Sequence, residues 1–137
     1  MTRKLTPQEA MIYVMVMVSA VDRQMSDAEL GRIGRMSRHL PAFEGFDEER
    51  LISVARDCAA MLALPEGLDI TLEVVKEALP ARLRETAYAL AFEVAAADLK
   101  IPAEEVRLLE LIRTRMEVDR LTAAAIERSA SARYRRN

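Results

Sequence analysis

VSAVDRQMSDAE, at residues 18–29, and VAAADLKIPAEE, at residues 94–105, are two versions of one pattern. In each version an apolar stretch ends in an aspartate, and a glutamate follows seven residues later. Asp98 lies 76 residues after Asp22, and Glu105 lies 76 residues after Glu29. This matched spacing predicts an internal duplication, with two similar helical units in one chain.

The composition predicts an all-α fold. With only 4 glycines and 5 prolines among 137 residues, and with abundant Ala, Leu, Met, Glu and Arg, the chain favours helix throughout. Apolar residues make up 51% and charged residues 31%, which is typical of a soluble globular protein. The length corresponds to one compact domain over residues 1–137.

Capping signals divide the chain into about seven helices. Thr6-Pro7-Gln8-Glu9 and Ser26-Asp27-Ala28-Glu29 are capping boxes that begin helices one and two, while Asp47 and Asp119 begin helices three and seven. We therefore predict two three-helix units, about 7–64 and 81–133, joined by a short connector helix at about 69–79. In the first unit, helices one, two and three are predicted to end at Asp22, Pro41 and Leu64. In the second unit, helices five and six are predicted to end at Asp98 and Met116. The tail from Arg128 onwards is expected to fray.

The four repeat acids extend apolar stripes. Asp22 shares a helix face with Met11, Met15 and Val18, and Asp98 occupies the matching position in the second unit. Glu29 and Glu105 continue the apolar faces of helices two and six in the same way. Only three residues separate Asp22 from Ser26, so we expect each Asp/Glu pair to face a tight helix corner.

The aspartates require compensation, because a carboxylate at a helix C-terminus opposes the helix dipole at a cost of about 0.3–1 kcal/mol. One candidate partner is the free N–H groups that begin the next helix. The other is a divalent cation, since helix-end carbonyls, carboxylates and waters are oxygen ligands for Ca²⁺, Mg²⁺ or Mn²⁺. The candidate metal ligands are therefore Asp22, Glu29, Asp98 and Glu105.

A purely structural interpretation of these acids also stands. Glu29 is the N3 member of a capping box with Ser26, and Asp22 can cap the corner. Pro102 replaces Ser26 in the second copy, so Glu105 cannot complete a box that needs a hydroxyl. Two carboxylates per corner would leave a hard cation largely hydrated, which predicts modest affinity.

Other residue types offer little for catalysis. The single cysteine, Cys58, lies in an apolar helical context typical of a buried thiol, and the single histidine, His39, closes helix two, where it complements the dipole. We interpret Arg32, Arg35 and Arg38 as a solvated face, with binding of an acidic partner as the alternative. Glu93 is expected to face water, and Arg133, Arg135 and Arg136 belong to a basic tail.

Charge and hydropathy exclude several function classes. A net charge of −2 provides no field that favours nucleic acid. The apolar run from Ala10 to Val21 is too short to span a bilayer, and no signal peptide precedes it, so we expect a cytoplasmic protein. The sequence indicates no particular oligomeric state.

Around the repeat acids the chain resembles the tellurite-resistance TerB family. The pattern of that family is Asp-Gly-x-x-Ser-x-x-Glu after an apolar helix, and the matching stretches here are 22–29 and 98–105. Arg23 and Leu99 stand where the family has glycine. The resemblance covers nearly the whole chain and implies an internally duplicated helical fold, a divalent-metal site at Asp22, Glu29, Asp98 and Glu105, and a role beside tellurite-resistance and stress-response systems.

These observations favour a non-enzymatic TerB-like protein that binds a divalent cation and acts through protein partners in stress resistance. The alternative is a metal-free helical adaptor whose repeat acids serve only as caps. A metal-dependent hydrolase would need more clustered ligands than the sequence offers.

Overall fold

The computed structural model describes residues 4–20, 25–97 and 101–136. Within these residues the structure is all-helical, which confirms the predicted fold class. Its seven α-helices are α1 (Pro7–Ser19), α2 (Asp27–His39), α3 (Leu51–Leu62), α4 (Gly67–Ala78), α5 (Ala81–Ala96), α6 (Ala103–Arg115) and α7 (Arg120–Arg133). Two short 3₁₀ turns, Pro41–Phe43 and Glu48–Arg50, lie between α2 and α3.

Helix α1 forms the centre of the molecule. It is apolar on nearly every side, and every residue from Glu9 to Ser19 is buried. Helices α2, α3, α4, α5 and α6 all pack against it, and α7 packs on the outside of α5. A helix surrounded in this way needs no polar face, which explains why its sequence lacks the amphipathic pattern of a surface helix.

Both predicted capping boxes are present. The Thr6 hydroxyl accepts a hydrogen bond from the Glu9 N–H at 3.1 Å, and the Glu9 carboxylate accepts one from the Thr6 N–H at 2.9 Å. Ser26 and Glu29 make the same reciprocal pair, at 3.1 and 2.9 Å. These bonds satisfy backbone donors that the start of a helix leaves without partners.

Aspartates begin the third helix of each predicted unit. Asp47 accepts a hydrogen bond from the Glu49 N–H at the 3₁₀ turn that leads directly into α3. Asp119 accepts one from the Thr122 N–H at 2.9 Å, and this bond lowers the pKa of the exposed Asp119 carboxyl. The cap at Asp119 matches the sequence prediction, whereas Asp47 caps the 3₁₀ turn before α3 and Arg50 is the N-cap of α3 itself. The pseudo-repeat as a whole stays a prediction.

The connector helix is longer than the sequence predicted. Helix α4 has 12 residues and begins at Gly67, two residues before the predicted start. The preceding turn is tight, with Glu66 in the left-handed region at φ 57°. A Cβ at Gly67 would lie 2.3 Å from the Leu62 carbonyl oxygen, so only glycine fits this approach between α3 and α4.

Two expectations about the surface are wrong. Helix α7 continues to Arg133 rather than fraying from Arg128, because Ala130 is buried and Arg133 is anchored. The anchor is Glu93 on α5, whose two carboxylate oxygens both accept hydrogen bonds from the Arg133 guanidinium. Glu93 is therefore a mostly buried ion-pair partner rather than a freely solvated side chain; its side chain is 19% exposed.

Candidate metal centre at two helix corners

The first corner lies where α1 gives way to α2. Helix α1 ends at Ser19 with Ala20 as its C-cap, and Glu29 lies in the first turn of α2. The Glu29 side chain is half-buried, and its Oε1 accepts the hydrogen bond from the Ser26 N–H. Its Oε2 accepts no hydrogen bond within the described residues.

The second corner lies between α5 and α6. Helix α5 ends at Ala96, and Glu105 occupies the first turn of α6. Pro102 is the N-cap residue here and provides no side-chain hydrogen bond to the cap. Glu105 is only 5% exposed, which makes it one of two carboxylates in the described chain that are buried to this degree.

The two aspartates of the predicted site, Asp22 and Asp98, lie outside the described residues. The prediction that each faces its glutamate across the corner therefore stays a prediction. Among residues 4–20, 25–97 and 101–136, no group of three or more His, Cys, Asp or Glu side chains lies close enough to hold a metal.

The chemistry of the predicted donor set fits a hard divalent cation. Asp22 and Glu29 at one corner, and Asp98 and Glu105 at the other, would supply carboxylate oxygens only, as Ca²⁺, Mg²⁺ and Mn²⁺ prefer. Zinc, in contrast, favours thiolate and imidazole ligands. Among the residues that the structure describes, no cysteine or histidine lies in either corner.

Cys58 and His39 lie elsewhere. Cys58 is fully buried on α3, its thiol lies 3.7 Å from the Tyr13 carbonyl oxygen as a weak donor, and burial raises its pKa to about 12. A thiol in this state is not a nucleophile at neutral pH. His39 is exposed at the end of α2, where the sequence placed it.

Long-range polar contacts were not predicted from the sequence, and three of them serve as examples. The buried Glu9 carboxylate accepts a hydrogen bond from Arg50 Nη2 at 2.5 Å, and the buried Tyr88 hydroxyl donates to Glu127 at 2.6 Å. The third is the Glu93–Arg133 pair. The partners lie 39 to 41 residues apart in the chain, so no local pattern signals them.

An apolar groove of about 930 Å³ borders the first corner. Its walls come from the end of α1, the first turn of α2 and one face of α3. The lining includes Met25, Leu30, Ile52, Ala55, Ala59 and Leu62.

No helix of the described chain combines the length and the apolar character that crossing a bilayer requires.

The fold and the corners define a class: a small helical domain built on a buried central helix, with a carboxylate in the first turn of the helix that follows each apolar helix. Comparison with protein families gives one finding, a match of residues 8–132 to the family described as tellurite resistance protein TerB. Since this match spans nearly the whole chain, the protein belongs to the TerB family. Neither a comparison with curated proteins nor one with solved structures gives a match.

Proposed function

We propose that this TerB-family protein is a non-enzymatic binding protein that takes up a hard divalent cation at one or both helix corners. The ligands are Asp22 with Glu29 and Asp98 with Glu105, completed by water and by carbonyls at the helix ends. The observation that carries the proposal is the matched placement of the two repeat glutamates: Glu29 and Glu105 each lie in the first turn of the helix that follows an apolar helix, in a chain of the TerB family.

The expected ion is Ca²⁺, Mg²⁺ or Mn²⁺, because the donor set consists of oxygens. Affinity is expected to be modest, since two carboxylates per corner leave most of the coordination sphere to water. When bound, the cation would supply positive charge that links the end of one helix to the start of the next. The proposed role is therefore binding and structural coupling within a cytoplasmic stress-response or tellurite-resistance system, exerted through protein partners.

A metal-free adaptor is the second candidate, and one observation favours it. The complete capping box between Ser26 and Glu29 gives Glu29 a structural role that requires no ion. In that case the two corners serve the fold alone, and function resides on the protein surface.

Isothermal titration calorimetry separates the two candidates. We expect purified protein to bind Ca²⁺, Mg²⁺ or Mn²⁺ with millimolar or tighter affinity, and the Asp22→Ala/Asp98→Ala double variant to lose that binding. The control is Asp27→Asn, which changes an exposed acid beside the first corner without removing a proposed ligand. Absence of a binding heat at millimolar metal, or equal heats for the double variant and the wild type, would contradict the metal proposal.

A further inference from the structure

A second groove lies at the opposite end of α2 from Glu29. It has a volume of about 420 Å³ and is bounded by the last turns of α2, the middle of α5 and the end of α7. Because it shares no residue with either corner, an inference about this groove is independent of the metal proposal.

The groove offers apolar contact area at the surface. Met36 and Ala89 are half-buried along it, while Leu40 and Tyr134 are 36% and 42% exposed. Leu90 lies below them in the core. Room of this size, lined by apolar side chains, suits bulky apolar groups of a partner rather than water alone.

The charge around the groove is positive. Arg35 is exposed on its α2 wall and takes part in no ion pair within the described residues. Glu93 is the one carboxylate among the described residues that line the groove, and Arg133 neutralises it through both of its oxygens. One turn before Arg35, the partly buried Arg32 adds a further cation without an ion-pair partner in the described chain.

We infer that this groove, the α2–α5–α7 groove, docks an acidic amphipathic helix of a protein partner. Apolar side chains of that helix enter the groove over Met36, Leu40 and Leu90. Its flanking carboxylates meet Arg35 and Arg32, neither of which forms an ion pair with another residue that the structure describes. Helix-in-groove recognition uses anchors spaced i, i+3, i+4 and i+7, and complementary charge at the rim sets orientation and partner choice.

Charge complementarity favours a protein segment over nucleic acid or an anionic membrane. Binding to phosphates needs several cations free to contact them, whereas Arg133 is already held by Glu93 and Ser129. The exposed apolar side chains of the groove would also meet no apolar counterpart on a phosphate backbone. An acidic helix uses both features.

The test uses a fluorescein-labelled helical peptide with leucines at i, i+3, i+4 and i+7 and glutamates at the flanking positions. Its matched partner peptide carries glutamine in place of each glutamate. We expect the acidic peptide to bind the full chain at least fivefold more tightly than the glutamine peptide, a preference that weakens with added salt. Fluorescence anisotropy measures affinity, and ¹⁵N chemical shifts locate the peptide on the protein.

Two variant pairs test the location. Arg35→Glu should weaken the acidic peptide by roughly fivefold or more, while Arg56→Glu, which makes the same charge change beside the groove of the first corner, should have little effect. Leu40→Ser should weaken both peptides several-fold. Its control, Leu121→Ser, removes a leucine that is 82% exposed and does not line the groove.

Several results would overturn the inference. These are equal affinity for the two peptides, no binding of either at millimolar concentration, shifts that map outside the groove, or an Arg56→Glu effect as large as that of Arg35→Glu. Phosphatidylcholine vesicles containing phosphatidylglycerol provide the last comparison. Arg35-dependent binding to those vesicles, without binding to the acidic peptide, would assign the groove to a lipid surface instead.

Discussion

The two predicted halves of the molecule begin their helices in different ways. In the first half, α1 and α2 each start with a hydroxyl–glutamate capping box. In the second half, α5 and α6 each start after a proline, Pro80 or Pro102, and neither N-cap makes a side-chain hydrogen bond. Proline at a helix start limits the freedom of the unfolded chain, whereas a capping box satisfies backbone donors in the folded state.

This difference changes what each repeat glutamate does. Glu29 is half-buried and has one oxygen committed to its cap, while Glu105, 76 residues later, is buried beside a proline cap. Equivalent positions in sequence therefore carry unequal structural roles. The second corner lacks the reciprocal capping box of the first, so the two corners offer separate tests for an ion.

The largest contrast lies in the core. Met15 of α1 and Ala91 of α5, separated by the repeat offset, are both fully buried, so the first half fills its position with a large side chain and the second with a small one. We expect Met15→Ala to lower the free energy of unfolding by about 2–5 kcal/mol through cavity formation, and Ala91→Met to lower it by about 1–3 kcal/mol through overpacking. Urea unfolding measures both. If Ala91→Met instead stabilised the protein, the core around Ala91 would have to contain room for a larger side chain, which would contradict the structure.

The next effect concerns the glutamates at the start of α1 and α5. Glu9 is buried, caps α1 and pairs with Arg50, whereas Glu85 at the equivalent position is exposed. We expect Glu9→Ala to cost about 2 kcal/mol, since it removes a charge-assisted hydrogen bond and a cap, and Glu85→Ala to cost less than about 0.5 kcal/mol. Similar losses for the two variants in urea unfolding would contradict the assigned difference.

Alkaline pH should expose a third contrast. Burial, together with the hydrogen bond to Glu127, raises the pKa of Tyr88, while the equivalent residue in the first half is Ile12, which does not titrate. Because the folded pKa exceeds the unfolded value of 10.0, the stabilising contribution is complete below pH 10.0 and is lost as pH rises through the folded pKa.

Tyr88→Phe isolates this contribution. We expect it to cost about 1.5 kcal/mol at neutral pH, because the hydrogen bond to the Glu127 carboxylate is lost, and to reduce the decline in stability above pH 10.0. Tyr134→Phe is the control, since Tyr134 is partly exposed. The measurement is the unfolding midpoint of each protein across alkaline pH. A Tyr88→Phe profile that matches the wild type would contradict the role assigned to the Tyr88 hydroxyl.

The smallest effect lies at the caps of the corner helices. Ser26→Ala should cost about 1 kcal/mol, because it removes the hydroxyl that accepts the hydrogen bond from the Glu29 N–H. Pro102→Ser would place a hydroxyl three residues before Glu105 and exchange the entropic benefit of proline for a capping bond. We expect its net effect on unfolding to lie within about 0.5 kcal/mol of zero. A large loss would mean that Pro102 stabilises the corner by a route other than its backbone restriction.

Local patterns in the sequence predicted most of the fold. The capping boxes at Thr6 and Ser26, the caps at Asp47 and Asp119 and the apolar character of α1 all depend on residues a few positions apart, and all are present. The TerB resemblance was confirmed by the family match. In contrast, the end of α7 and the burial of Glu93 were missed, because both depend on a contact 40 residues away.

The candidate site was predictable in part. Sequence periodicity placed Glu105 on an apolar face, and the structure buries it. The same periodicity grouped Glu29 with Leu40, yet Leu40 is exposed, since α2 packs only lightly on α1 and leaves the groove beside its last turns open. Periodicity identifies the faces of a helix, but it carries no information on how fully a neighbouring helix covers each face.

The central claim, that the buried Glu105 corner binds a divalent cation, is tested most directly with Mn²⁺ as a paramagnetic probe in ¹H–¹⁵N NMR. We predict selective broadening of amide signals around residues 103–106, and weaker broadening around residues 26–29. Glu105→Gln should abolish the broadening at 103–106, while Glu104→Gln, which changes the exposed neighbour, should leave it intact. Uniform broadening across the protein, or an unchanged pattern in Glu105→Gln, would contradict the claim.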